Sequence, residues 1–119
     1  MKNTHDFSIT QQVSDSITLE IIGSDGSPRD LSPFAFKLDC KKNYSDESPL
    51  FTLSSSDSSI VLDTNNNHMV HLKFSHDLTK DLVFDKGVYD LLAYKPDRSH
   101  VEVLISGSIS LRKTVTKLD

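Results

Sequence analysis

The chain has 119 residues, 36% of them hydrophobic, with 13 basic against 17 acidic side chains and a formal net charge of -4, which is one domain's worth of sequence with material for one modest core. An acidic balance gives no advantage on DNA, RNA or an anionic membrane face, where Lys and Arg lead binding, so nucleic acid and membrane are excluded as expected partners. No apolar run approaches the roughly 20 residues of a membrane span, Met1 to Gln12 lacks an export signal's continuous apolar stretch, and a single cysteine, Cys40, rules out an intramolecular disulfide framework.

From Ser16 to Ile22 the apolar positions Ile17, Leu19 and Ile21 share one parity, with Thr18 and Glu20 on the other, which predicts a half-buried strand. Ser24, Asp25, Gly26 and Ser27 supply turn chemistry, and Pro28 lacks a backbone donor where pairing should stop. Phe34, Phe36, Leu38 and Cys40 make a second period-2 set, opposed by Ala35, Lys37, Asp39 and Lys41. A loop from Asn43 to Pro49 precedes a short strand, Leu50 to Leu53. The serine-rich stretch Ser54 to Ser59 is too short to link domains. Asn65, Asn66 and Asn67 tolerate positive φ and suit a hairpin joining Ile60 to Leu62 with Met69 to Phe74.

The rhythm breaks between Ser75 and Phe84. There Leu78, Leu82 and Val83 lie at helical spacing behind a capping Ser75, the only helix predicted. Asp85, Lys86 and Gly87 form a turn before Val88 to Tyr94, an apolar run interrupted by Asp90, and Pro96 to Ser99 make the next turn. The longest alternation follows: Val101, Val103, Ile105, Gly107, Ile109 and Leu111 share one parity, opposed by Glu102, Ser106, Ser108 and Ser110. Gly107 in mid-strand predicts a bulge or a close backbone approach. Seven to eight short strands, punctuated about every 8 to 12 residues and accompanied by at most one short helical turn, predict an all-β antiparallel sandwich or small barrel. It forms a single domain over residues 1–119, with 1–6 and 112–119 as candidate flexible arms.

Chemistry-bearing patterns are sparse. His68 and His71, on a strand, are sent to opposite faces by their odd separation, which weakens a metal-ligand pair. His5 beside Asp6, and His76 beside Asp77, read as surface groups, and His100 opens the last strand on its outer face. No Gly-x-Ser-x-Gly elbow is present, and no Ser, His and Asp are spaced so that a triad follows. Fourteen of the seventeen acids are Asp, mostly in turns such as Asp25, Asp57, Asp63 and Asp97, where their local hydrogen bonding explains them. Cys40 sits on the apolar parity of its strand and reads as a buried, inert thiol. No catalytic, cofactor-binding or metal residue is predicted, and no enzyme. A carbohydrate-binding module is the competing class, and stacking aromatics for it are scarce: there is no Trp, and of three Tyr only Tyr44 falls in a loop.

The order of motifs carries more information. An opening strand, Asp6 to Gln12, leads into Ile17 to Ile22; Gly26, Ser27, Pro28, Arg29, Asp30 and Leu31 form a Gly-x-Pro-x-x-Leu-like turn; Phe34, Ala35, Phe36 and Lys37 follow. A central Ile60, Val61, Leu62 is joined through the asparagines to Val70, His71, Leu72. The most specific part is Gly87, Val88, Tyr89, Asp90, Leu91, then Leu104 to Ile109, then Thr114, Val115, Thr116. In this order the chain resembles small virion structural proteins of tailed bacteriophages, immunoglobulin-like domains that also occur at the N-terminus of baseplate upper proteins. It departs from them at Leu38 to Lys42, where an Arg-rich strand is usual, and at Val13, where the family has glycine.

The resemblance implies an immunoglobulin-like antiparallel β-sandwich in which Gly26, Pro28, Phe34, Phe36, Gly87, Tyr89, Leu91 and Gly107 are structural positions. It implies a virion protein made in the host bacterial cytoplasm, without cofactor, working in multiple copies in the tail, baseplate or fibre attachment, with capsid decoration as the alternative. The partners it implies are other virion proteins and copies of the chain itself. A host surface glycan is the remaining ligand class.

Overall fold

The computed structural model describes residues 4–23, 25–116 and 118. The alternating segments are extended and give eight strands: β1 (Phe7–Thr10), β2 (Asp15–Glu20), β3 (Ala35–Lys41), β4 (Phe51–Ser54), β5 (Ile60–Leu62), β6 (Met69–Phe74), β7 (Lys86–Tyr94) and β8 (Val101–Arg112). They form two sheets, one of five strands in the order β1-β8-β7-β3-β4 and one of three in the order β2-β6-β5. This division of strands between sheets is that of an immunoglobulin variable-type sandwich, with strands B, E and D on one side and G, F, C and C′ on the other. Pairing is antiparallel except at one edge, where β1 runs parallel to β8 with Phe7 opposite Ile109 and Thr10 opposite Arg112.

Period-2 patterning places the core between the sheets. Along β7, Gly87, Tyr89, Leu91 and Ala93 are buried while Val88, Asp90, Leu92 and Tyr94 are half-exposed. Phe36, Leu38 and Cys40 are buried along β3, with Leu38 opposite Leu91 and Cys40 opposite Tyr89. Leu19, Ile60, Val70, Leu72 and Phe74 meet them from the other sheet. At one end the rings of Phe7, Phe74, Phe51 and Phe84 form a chain, with neighbouring centroids 6.0 to 6.2 Å apart, and Tyr89 meets Phe7 edge-on at 5.2 Å. Each such side chain contributes about 1.5–3 kcal/mol by leaving water.

Several local expectations are corrected. Pairing does not stop at Pro28: Ile22 and Pro28 form an antiparallel bridge, framed by the Gly23 N–H donating to the Ser27 carbonyl and the Arg29 N–H to the Ile21 carbonyl. Proline is tolerated because it occupies the bridge position that needs no N–H. Gly26, at φ 86°, turns this small hairpin. The asparagine hairpin does form, but none of Asn65, Asn66 and Asn67 has positive φ. Instead the Asp63 carboxylate accepts from the Asn65 and Asn66 backbone N–H groups at 3.0 and 2.8 Å.

The helix, α1 (His76–Thr79), is capped by the Ser75 hydroxyl, which accepts from the Leu78 N–H at 3.1 Å. Leu82 is buried, but Val83 is 78% exposed and does not share its face, because four residues end the helix before Val83 joins it. A second helical turn, a 3-10 segment at Ser55–Asp57, goes beyond the one expected, and Ser54 caps it. Serine-rich sequence here builds caps, since hydroxyls compete for backbone N–H groups.

Candidate interaction surfaces

β8 is where the sequence pattern and the structure part. Leu91 of β7 lies opposite Ile105, but Leu92 lies opposite Val103, so Leu104 is an extra residue without a partner on β7. This bulge reverses the parity of everything before it. Downstream, Ile105, Ile109 and Leu111 point into the core as predicted; upstream, Val101 and Val103 are 51% and 47% exposed. The expectation that the whole alternation faces inward is therefore corrected. A signal was present in the sequence: Leu104 directly before Ile105 breaks the alternation.

Two consequences follow on opposite sides of the sheet. Inside, Glu102 takes the position the valines leave and forms a forked pair with Arg29, Nη1 to Oε1 and Nη2 to Oε2. The guanidinium, by its hydrogen bond, holds the Glu102 carboxyl below its usual range, and the carboxylate holds Arg29 above its own. His100 bonds the same carboxylate, and its ring lies 5.9 Å from that of Phe34. Outside, Val101 lies opposite Tyr94, itself opposite Ala35, and Val103 lies opposite Leu92. The result is an apolar strip on the solvent side of the five-stranded sheet, with the Arg98 guanidinium 4.4 Å from the centre of the Tyr94 ring. Farther along the same face the rows are polar: Asp39, Asp90 and Ser106, then Lys41, Val88 and Ser108.

Gly107 is not the bulge, and it serves the other expected purpose, a close approach. The Thr4–Asp6 segment lies along β8: Thr4 bridges Ser106, the His5 N–H donates to the Ser106 carbonyl at 2.9 Å, and Asp6 accepts from the Ser108 N–H at 2.8 Å. A Cβ on Gly107 would run into the His5 carbonyl oxygen. That oxygen also accepts from the Tyr89 hydroxyl at 2.6 Å. Burial raises the tyrosine's pKa, with Asp6 adding to the effect. Gly87 is constrained too, though less tightly, since a Cβ there would lie 2.7 Å from the Cys40 sulfur. Cys40 is fully buried, and desolvation pushes its thiol up to about 12. Tyr89 and Leu91 thus lie in the centre of the five-stranded sheet, with Gly107 opposite Tyr89 and Gly87 at the start of β7, while Phe36, opposite Ala93, lies with Gly26, Pro28 and Phe34 towards the Arg29–Glu102 end.

The outer face of the three-stranded sheet is mostly polar, with Val61 and Met69 half-buried among Thr18, Glu20 and His71. His71 links two strands and a turn: its Nε2 is 2.7 Å from Asp63 Oδ1 and its Nδ1 is 2.8 Å from the Thr18 hydroxyl. Hydrogen bonds from His71 first, then from the Asn65 backbone, lower the Asp63 pKa to about 2. His68 turns to Glu20 at 3.5 Å and shares no partner with His71. Among the described residues no three His, Cys, Asp or Glu side chains are grouped to hold a metal ion, and no helix is long and apolar enough to cross a membrane. Tyr44 is 77% exposed and borders a small groove with Asp39, Lys41, Val88 and Asp90.

The chain ends, expected as arms, are tied down where they are described. Besides Thr4–Asp6, the stretch after β8 is held mainly through Gln12, whose Nε2 donates to the Thr114 hydroxyl and the Thr116 carbonyl and whose Oε1 accepts from the Leu118 N–H at 2.7 Å, with Lys113 paired to Asp85. The remainder of the expected arms, Met1, Lys2, Asn3, Lys117 and Asp119, lies outside the described residues.

No family model matches this chain, and no curated protein matches it. Among solved structures it is similar to a chain in the crystal structure of ICOS in complex with ICOS-L and an anti ICOS-L VNAR domain. Identity is 10%, the TM-score is 0.34, and the match covers 95% of this chain and 55% of that one, so the present chain spans about half its length. The fold assignment rests on the strand order itself.

Proposed function

We propose that this chain is a non-enzymatic assembly module, a virion structural protein of a tailed phage that acts in many copies, with the tail, baseplate or fibre attachment as its place. Capsid decoration is the alternative location. The assembly reading is carried by the strip of Leu92, Tyr94, Val101 and Val103. A one-residue bulge turns two valines out of the core onto a sheet face, where they join an aromatic ring topped by an arginine, a composition suited to the centre of a protein interface. The phage reading is supported by the order of motifs from Gly26 to Thr116.

Cryo-electron microscopy of the purified particle tests it. The expected result is density for the sandwich in a symmetric ring on the tail or baseplate, with the Val101–Val103 face against a neighbour. Density on the capsid lattice selects the head, and absence of the chain from purified particles overturns the proposal. A second reading, glycan binding, is favoured by one observation: exposed Tyr44 beside the carboxylates of Asp39 and Asp90 is the pairing of flat ring and acceptors that sugars use. Its test is a titration with host surface glycans, and shifts of the Tyr44 ring signals would support it.

A further inference from the structure

We infer that residues 112–116 form an exchangeable strand that adds to the free edge of β2 in a second copy of this chain. The inference uses a surface separate from the outer-face strip, so either can fail without the other.

The donor is a strand-forming segment whose residues after Arg112 have no strand partner. Arg112 ends β8 beside Thr10, and the sequence then reads Lys113, Thr114, Val115, Thr116, rich in β-branched residues. Val115 is fully exposed, and with Val13, 45% exposed, and Leu118, 68% exposed, it borders an open apolar cavity of about 420 Å³. What holds the segment is chiefly the Gln12 amide, which donates to the Thr114 hydroxyl and the Thr116 carbonyl and accepts from the Leu118 N–H, a side-chain tether in place of a strand ladder. Lys113 adds only a surface ion pair with the exposed Asp85.

The acceptor is the outer edge of β2. Among the described residues β2 has β6 on one side and no strand on the other, and such an edge presents unpaired N–H and C=O groups. Its two ends are acidic, Asp15 and Glu20. Two β2 edges pairing antiparallel would set Asp15 against Glu20, like charges that disfavour self-pairing. A basic donor suits the edge. With Arg112 opposite Glu20 in an antiparallel pair, Thr114 meets Thr18 and Val115 meets Ile17, which is half-buried on the core side of β2. Charge, polarity and apolar surface match at these three pairs; the fourth sets Lys113 beside buried Leu19, where its alkyl stem covers the rim of the core and its ammonium reaches solvent.

The acceptor belongs to another copy because of direction. The parallel pairing of β1 with β8 carries the segment past the turn at Gln11 and Gln12, whereas β2 runs back from that turn. Reaching its own β2 would require the segment to reverse. Exchange between identical chains replaces the Gln12 contacts with backbone pairing and closes two-fold when reciprocal.

The test uses the full chain carrying Thr18→Cys and Thr114→Cys, oxidised and run on a non-reducing gel; Cys40, buried, does not compete. A disulfide-linked dimer is the expected product. Only monomer, with or without an internal disulfide, overturns the inference. Sedimentation adds an independent readout: Gln12→Ala, which releases the segment, shifts the chain from monomer towards dimer. Glu20→Lys reverses that shift, and adding Arg112→Glu restores it. If Gln12→Ala fails to fold by circular dichroism, truncation after Lys113 takes its place and must abolish any wild-type dimer. A dimer that survives truncation also overturns the inference.

Discussion

The outer faces of the two sheets differ in kind. On the three-stranded sheet the side chains satisfy one another: Thr18, His71 and Asp63 are linked in a line, and His68 turns to Glu20. On the five-stranded sheet the row formed by Ala35, Tyr94 and Val101, and the Leu92–Val103 pair beside it, meet solvent as an apolar surface. A face that completes its own hydrogen bonds gains little from a partner, whereas an apolar strip gains from every square ångström it covers. The contrast is why the proposed assembly surface is placed on the β8–β7–β3 side.

Three changes test this contrast, from the largest expected effect on stability to the smallest. Gly107→Val forces the Thr4–Asp6 segment away from β8, breaking the His5 and Asp6 contacts. A loss of about 1–3 kcal/mol, or several degrees in melting temperature, is expected in a thermal melt. An unchanged melt contradicts the close approach.

Acid probes the three-stranded face. Asp63 is held at about 2, below its unfolded value, so its contribution is present above about pH 4 and is lost as the pH falls through about 2. Asp63→Asn should therefore flatten the dependence of unfolding free energy on pH between about 4 and 2. A slope equal to wild type would mean that the His71 link contributes nothing.

The smallest effect on stability is expected from Val101→Ser combined with Val103→Ser. Both side chains lie outside the core, so the change should stay within about 0.5 kcal/mol per site, and on the proposed assembly role it should remove incorporation into particles, read by gel analysis of purified virions. If the pair costs as much as Gly107→Val, the valines are core residues and the contrast between the two faces collapses.

Much of this fold was legible because period-2 patterning has a single physical reading when one face is buried. β2, β3 and β6 follow directly from it, as does the burial of Cys40, whereas Lys86 and Gly87, read as a turn, open β7 instead. The apolar strip was not legible in the same way. Its position depends on one unpaired residue, Leu104, and the adjacent Leu104 and Ile105 signal a break in the alternation without saying which side of it faces the core until a register is known. Pro28 shows the same limit, since its tolerance depends on which bridge position it occupies. The Gln12 contact with Thr114 and Thr116 spans nearly the whole chain, a separation that no local pattern reports.

The buried thiol has a practical consequence. With its sulfur sealed between β3 and β7 and its ionisation displaced to about 12, Cys40 carries almost no thiolate at neutral pH. A maleimide added to the native chain should leave its mass unchanged, and the same reagent added after denaturation should add one label. The protein thus contains a built-in reporter of its own opening, readable by mass alone, for any variant or assembly state in which the sandwich is suspected of loosening.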